Sequence, residues 1–188
     1  MNSPGRGEDK IDSVAYRVQQ KYPDARTVHR LDWATSGVII MALNAESHRN
    51  LNKQFADRKT QKRYIAVVGG IVEQDEQVID LPLRCDWENR PRQIVDWEQG
   101  KPSQTHVTVD FRDEEKQQTR LILRPVTGRS HQLRVHCQQI GHSIIGDQLY
   151  APPKWRDISS RLLLHAEWLQ VYQPTTGELI DFFDESPF

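Results

Sequence analysis

The residues His29-Arg30-Leu31-Asp32 put a carboxylate two positions after an arginine, on a turn that reaches Gly37 and enters the apolar run Val38–Leu43. A nearby cation favours the ionised carboxylate, and an ionised carboxylate can act as a nucleophile. Turns held by a rigid strand are common seats for such groups. An isolated loop Asp more often bonds nearby backbone N–H groups, so Asp32 alone stays open between cap and catalyst. Tyr64 opens a β-rich segment just after the basic stretch Lys59–Arg63. It can be a half-buried packing residue, or a ring that stacks on a base and a hydroxyl that relays a proton. A third cluster, Gly128-Arg129-Ser130-His131-Gln132-Leu133-Arg134, brings many hydrogen-bonding groups to one helix entry. It can be a capped helix with solvated arginines or an anion site.

Other chemistries lack their residues. No two of the histidines have HExxH spacing, and no Walker loop, GxGxxG or GxSxG elbow is present, which argues against a metal or nucleotide cofactor. A glycosidase wants two carboxylates across the scissile bond, whereas the acids flanking Asp32 are Asp24 and Glu46. A lone carboxylate among basic and aromatic partners suits chemistry at a sugar anomeric carbon without net hydrolysis.

The elements that must position these residues follow from periodicity. Asp12 is expected to cap a helix carrying Val14, Val18 and Tyr22, stopped by Pro23, after a Gly- and Pro-rich loop over residues 1–10. Val38–Leu43 reads as a central strand, Ala45–Asp57 as an amphipathic helix and Tyr64–Val68 as a strand. Val78–Leu83 reads as a strand interrupted by Pro82, followed by a surface hairpin or long loop from Cys85 to Lys101. Thr105, Val107, Val109 and Phe111 alternate with polar residues, and the Asp113–Gln118 turn returns the chain into Leu121–Val126. A helix capped by Ser130 is expected to turn Leu133, His136, Cys137 and Ile140 inward and to stop at Gly141. Leu162–Tyr172 and Leu179–Phe183 form a last hairpin. Strands arriving in hairpins with few helices between them imply an α+β fold with a mixed, largely antiparallel sheet, in one domain over the 188 residues.

Hydrophobic residues make up 37% and charged residues 27%, the balance of an ordinary soluble protein, and the two cysteines form no CxxC pair. A reducing cytoplasm is expected, with no membrane segment or signal peptide, and a monomer. The net charge is only −1, but its distribution is uneven. Between Arg120 and His136 lie four arginines and two histidines with no acid, and between Arg49 and Arg63 six basic residues face the single acid Asp57. A polyanion responds to such local faces rather than to the sum.

The signatures around Asp32, the triplet Lys62-Arg63-Tyr64 and the stretch Gly128–Arg134 occur in one order that resembles the RluA family of pseudouridine synthases. Leu81-Pro82-Leu83, Asp86-Trp87-Glu88-Asn89-Arg90-Pro91, Gly100-Lys101-Pro102 and Leu162-Leu163-Leu164-His165-Ala166 extend the likeness along nearly the whole chain. The Asp86–Pro91 block is most similar to the branch that modifies both a 23S rRNA hairpin and a tRNA anticodon stem-loop. The resemblance implies a pseudouridine synthase fold with a central RNA cleft and isomerisation of uridine in RNA without cofactor or metal. It implies Asp32 as nucleophile at the ribose C1′ or as a participant in a glycal route. Tyr64 would be the base-stacking and proton-transfer residue, and Arg134 the cation that orients Asp32. Arg30 would fill the space of the flipped nucleotide, and His29, Arg63, Arg90, Arg129, His131 and Gln132 would contact RNA. Family members carry a Lys-Pro-x-Gly segment and two strands upstream of the point where this chain begins, so an open sheet edge is expected. A stem-loop-binding module without turnover, and a hydrolase releasing uracil, are the competing readings.

Overall fold

The structure, a computed structural model, describes residues 12–188, so the loop expected over residues 1–10 lies outside it. In chain order the elements are α1 (Val14–Lys21), β1 (Arg26–Thr27), β2 (Ser36–Gly37), β3 (Met41–Ala42), α2 (Ala45–Ala56), β4 (Gln61–Gly69), β5 (Glu76–Asp80), β6 (Leu83–Cys85) and β7 (Gln93–Val95). They continue with β8 (Gln104–Asp113), β9 (Gln118–Pro125), α3 (Gln132–Gln139), α4 (Pro153–Arg156), β10 (Leu164–Tyr172) and β11 (Leu179–Phe183). Seven strands form the main sheet in the order β11-β10-β4-β9-β8-β5, with β2 added beside β10. Among the described residues of this sheet, only the β2–β10 pair is parallel. The fold is α+β with a largely antiparallel sheet.

Strand alternation explains the core. Along β4 the side chains of Lys62, Tyr64, Ala66 and Val68 share one face. Ala66 and Val68 pack there with Val107, Leu121 and Leu123, and Leu133 and Cys137 of α3 cover them. Each such fully buried Val or Leu contributes about 1.5–3 kcal/mol. The inner end of this face is therefore solid core, while its outer end, at Lys62 and Tyr64, opens into a cleft. A second cluster joins Leu51 of α2 to Leu169 and Val171 of β10, with Val38, Ile40 and Phe55 against it. The buried Gln54 amide locks α2 onto β10, donating to the Tyr172 carbonyl at 2.7 Å and accepting its N–H at 2.8 Å.

Three expectations are corrected. Val38–Leu43 is not a central strand: the Val38 N–H bonds the Ala166 carbonyl at 2.9 Å and the Ile40 N–H bonds His29 Nε2 at 3.0 Å, so no ladder forms until Met41. The cap of α1 is Ser13, whose hydroxyl accepts the Tyr16 N–H, while Asp12 holds Arg17. Ser130 does not cap α3. His131 occupies that position in the left-handed region at φ 53°, and the Gln132 carbonyl reaches back to the Arg129 N–H at 3.0 Å. Pro82 divides the expected 78–83 strand into β5 and β6, and β6 with β7 makes the hairpin expected after Cys85. Among the described residues no helix is long and apolar enough to cross a membrane.

Candidate active site and RNA interface

Asp32 sits at the mouth of a cleft of about 1010 Å³. Its turn is fastened from behind by β2. Gly37, at φ 108°, lies so close to β10 that a Cβ would come within 2.2 Å of the Ala166 carbonyl oxygen. That approach, together with a positive φ, requires glycine. One residue earlier, the Ser36 hydroxyl takes a hydrogen bond from Arg161 at 2.6 Å and meets His165 Nδ1 at 2.9 Å. The Thr35 N–H closes the turn on the Asp32 carbonyl at 3.0 Å.

From the other side comes Arg134 on α3. Its Nη1 stands 4.0 Å from the Asp32 carboxylate, the outer edge of an ion pair. Its nearer partner is Asp147, held in a two-point contact through Nε at 2.8 Å and Nη2 at 2.6 Å. Asp147 is wholly buried and also accepts the N–H groups of Leu149 and Tyr150. Burial is the strongest influence on Arg134 and works against its charge, but Asp147, then Asp32 and Tyr150, outweigh it and raise its pKa. The cation is permanent. With the Nε–Nη2 edge of the guanidinium fixed on Asp147, Nη1 is the nitrogen that faces Asp32.

Tyr64 projects from β4 into the cleft floor, and its pKa is pushed well up by burial and then by the Asp32 charge. It remains a phenol, able to accept a proton only while passing its own onward. His131 also lines the cleft, its Nδ1 2.7 Å from the Tyr150 hydroxyl. That hydroxyl also accepts the Gln93 N–H at 2.7 Å, which ties the imidazole to the β6–β7 hairpin. Burial lowers the His131 pKa, with Arg134 in the same direction and Asp32 and Asp147 opposing.

Residues 3–139 match the family described as RNA pseudouridylate synthase. The chain belongs to this family. It is 50% identical over 188 residues to the dual-specificity RNA pseudouridine synthase RluA of Yersinia pestis, covering 100% of this chain and 91% of the relative. It is 48% identical over 183 residues to the same-named protein of Escherichia coli K12, covering 97% and 83%. Among solved structures, human RNA pseudouridylate synthase domain containing 1 superposes with a TM-score of 0.81 at 31% identity, covering 94% of this chain and 75% of that one. Human RNA pseudouridylate synthase domain containing 4, at 22% identity and a TM-score of 0.73 over 99% and 82%, shares the fold. The protein is an RNA uridine isomerase that forms pseudouridine.

The cleft gathers most of the residues expected to meet RNA, with exceptions. Arg30, Arg90 and Arg129 are exposed along its rim, Arg90 stacked at 3.9 Å over Trp87 of the β6–β7 hairpin. Arg63 is not there. Strand alternation sends it to the opposite face, where it pairs with Glu167 at 2.8 Å between Trp168 and Phe183. His29 lines the cleft but is no cation. Burial, and next Lys62, lowers its pKa to about 4, and its Nε2 accepts the Ile40 N–H while its ring stacks on Phe55. Gln132 is also committed internally. Its carbonyl accepts from the Thr127 hydroxyl and the Arg129 N–H, and its amide donates to the Gln104 carbonyl and the Thr105 hydroxyl. Gln132 pins the Gly128 turn rather than a ligand.

Two cleft residues, Lys62 and Trp33, and two buried behind the cleft, Asp147 and Tyr150, escaped the sequence reading. Lys62 shares the Tyr64 face two positions earlier, and strand period alone signals that. Asp147 is the first acid after Glu115, a signal that an arginine-rich stretch must end on a counter-charge. Tyr150 carried no signal. Trp33, next to Asp32, is 84% exposed and lines the cleft, too exposed to be packing.

Proposed function

We propose that Asp32 is the nucleophile, attacking the ribose C1′ of a uridine flipped into the cleft and stacked on Tyr64. The N1–C1′ bond breaks as the Asp32–C1′ bond forms, the uracil turns, and C5 then displaces the carboxylate, so that the C5–C1′ bond forms as the Asp32–C1′ bond breaks. The C5 proton leaves and N1 gains one, so atoms balance with no cofactor. The observation that carries this reading is the placing of Asp32 4.0 Å from Nη1 of a guanidinium whose Nε–Nη2 edge is tied to buried Asp147. Such a fixed cation can orient the carboxylate from 4.0 Å. Flipping costs a few kcal/mol, which stacking on Tyr64 and insertion of Arg30 offset.

The target RNAs are a 23S rRNA hairpin and a tRNA anticodon stem-loop. Support comes from the likeness to dual-specificity relatives over the whole chain and from the Asp86–Pro91 hairpin loop, whose Arg90 and Pro91 line the cleft. The protein acts as a single-domain monomer in the cytoplasm, where Cys85 and Cys137 stay free thiols. Asp32→Asn keeps the shape and removes the charge. Pseudouridine formation, read by a carbodiimide primer-stop assay on rRNA and tRNA, is expected to fall by on the order of 10⁴-fold. Turnover near the wild-type rate overturns the assignment. The same assay on RNA from cells with and without the gene identifies the targets.

A further inference from the structure

Lys62 is a cation without a counter-ion. It projects from β4 on the Tyr64 face, into the cleft, and its ammonium has one hydrogen bond, a long one of 3.4 Å to the Thr127 carbonyl. Among the described residues no carboxylate lies within ion-pair distance of it, although the protein pairs Arg63, the next residue, with Glu167. Packing lowers its pKa to about 8, the mark of a charge held away from water without compensation. Ammonium groups in such surroundings are costly unless a ligand supplies the missing anion.

The surroundings of the ammonium are open on one side. Gly128 faces it, its Cβ position 3.8 Å from Nζ, so the turn comes within van der Waals contact of the ammonium. Arg129 extends from the same turn along the cleft, its Nε on the Pro102 carbonyl. Two residues of strand place the Lys62 and Tyr64 Cα atoms about 7 Å apart. That is the scale on which one nucleotide separates its base from its phosphate. We propose that Lys62 binds a backbone phosphate flanking the target uridine, at a subsite closed by the Gly128–Arg129 turn. The inference rests on the reading of this cleft as the RNA site. It gives the strand a double function, one side chain for the base and the next on that face for its phosphate.

The test is a double-mutant cycle with a synthetic stem-loop whose loop uridine the protein converts. The wild type and Lys62→Met are each titrated, at equilibrium, with native RNA and with RNA carrying one neutral methylphosphonate beside the target uridine. The 5′ and 3′ positions are probed separately, and the ribose preceding each neutral linkage is 2′-O-methylated. The wild type is expected to lose about tenfold in affinity at one of the two positions. Lys62→Met loses about the same on native RNA and nothing further on that neutral RNA. Its log–log salt slope is shallower by about one phosphate, and Lys62→Arg restores that slope. Losses that multiply independently overturn the proposal, and a wild type indifferent to both neutral linkages overturns it even if Lys62→Met fails to fold. Arg30→Ala and Arg90→Ala separate the two failures. If they weaken binding while Lys62→Met does not, only the Lys62 subsite falls; if none does, the cleft reading falls with it.

Discussion

At the scale of single residues, the decisive contact is one the sequence concealed. Arg134 and Asp32 were both legible as candidates, but the buried partner that fixes Arg134 lies thirteen residues further on, beyond helical spacing. Removing one member of a buried pair leaves the other uncompensated, so Asp147→Ala is expected to cost about 3–5 kcal/mol in urea unfolding. Asp147→Asn keeps the Leu149 and Tyr150 N–H acceptor and loses the charge. It should be milder in stability, yet still lower kcat, because Arg134 is free to close onto Asp32. Unchanged kcat in a folded Asn variant would show that Arg134 needs no anchor. Arg63 and Lys62 carry the complementary lesson. Composition cannot separate adjacent basic residues, but their opposite strand faces do, and only one reaches the cleft.

At the scale of elements, hairpins were readable because alternation reports a half-buried strand directly. The Thr105–Phe111 pattern became β8, and the two tail runs became β10 and β11. The 38–43 run failed because its backbone is satisfied by a side chain, His29, and by a strand more than a hundred residues away, neither of which periodicity can register. The β6–β7 hairpin reaches the site through the Tyr150 hydroxyl, which joins the Gln93 N–H to His131. Tyr150→Phe keeps the ring and deletes both bonds. It is expected to destabilise by about 1–3 kcal/mol and to lower kcat more than RNA affinity, as measured by unfolding and single-turnover kinetics. Gly37→Ala tests the clamp behind Asp32. Its Cβ would press into the Ala166 backbone, so several degrees of melting temperature and most of the activity should be lost together.

At the scale of the whole molecule, acid stability follows from buried imidazoles. Burial lowers the pKa of His29 and of His136 to about 4, His136 being set between the Ser103 and Thr105 hydroxyls. The unfolded chain binds protons at these positions from about pH 6.5 downward, whereas the folded chain resists until about 4. Stability supplied by the two neutral rings is therefore complete above pH 6.5 and is lost as pH falls toward 4. Urea midpoints should drop across that window, and replacing His136 should flatten the drop. The topology also has a consequence for the order in which the protein becomes competent during synthesis. The Asp32 turn is held by β10, with Ser36 bonded to His165 across 129 residues of chain, and β4 waits for the same strand. Contacts so distant in sequence form late and slowly. A ribosome must therefore deliver β10 before Asp32 has a fixed place, and a nascent chain long enough to display every cleft residue except β10 would still be inert.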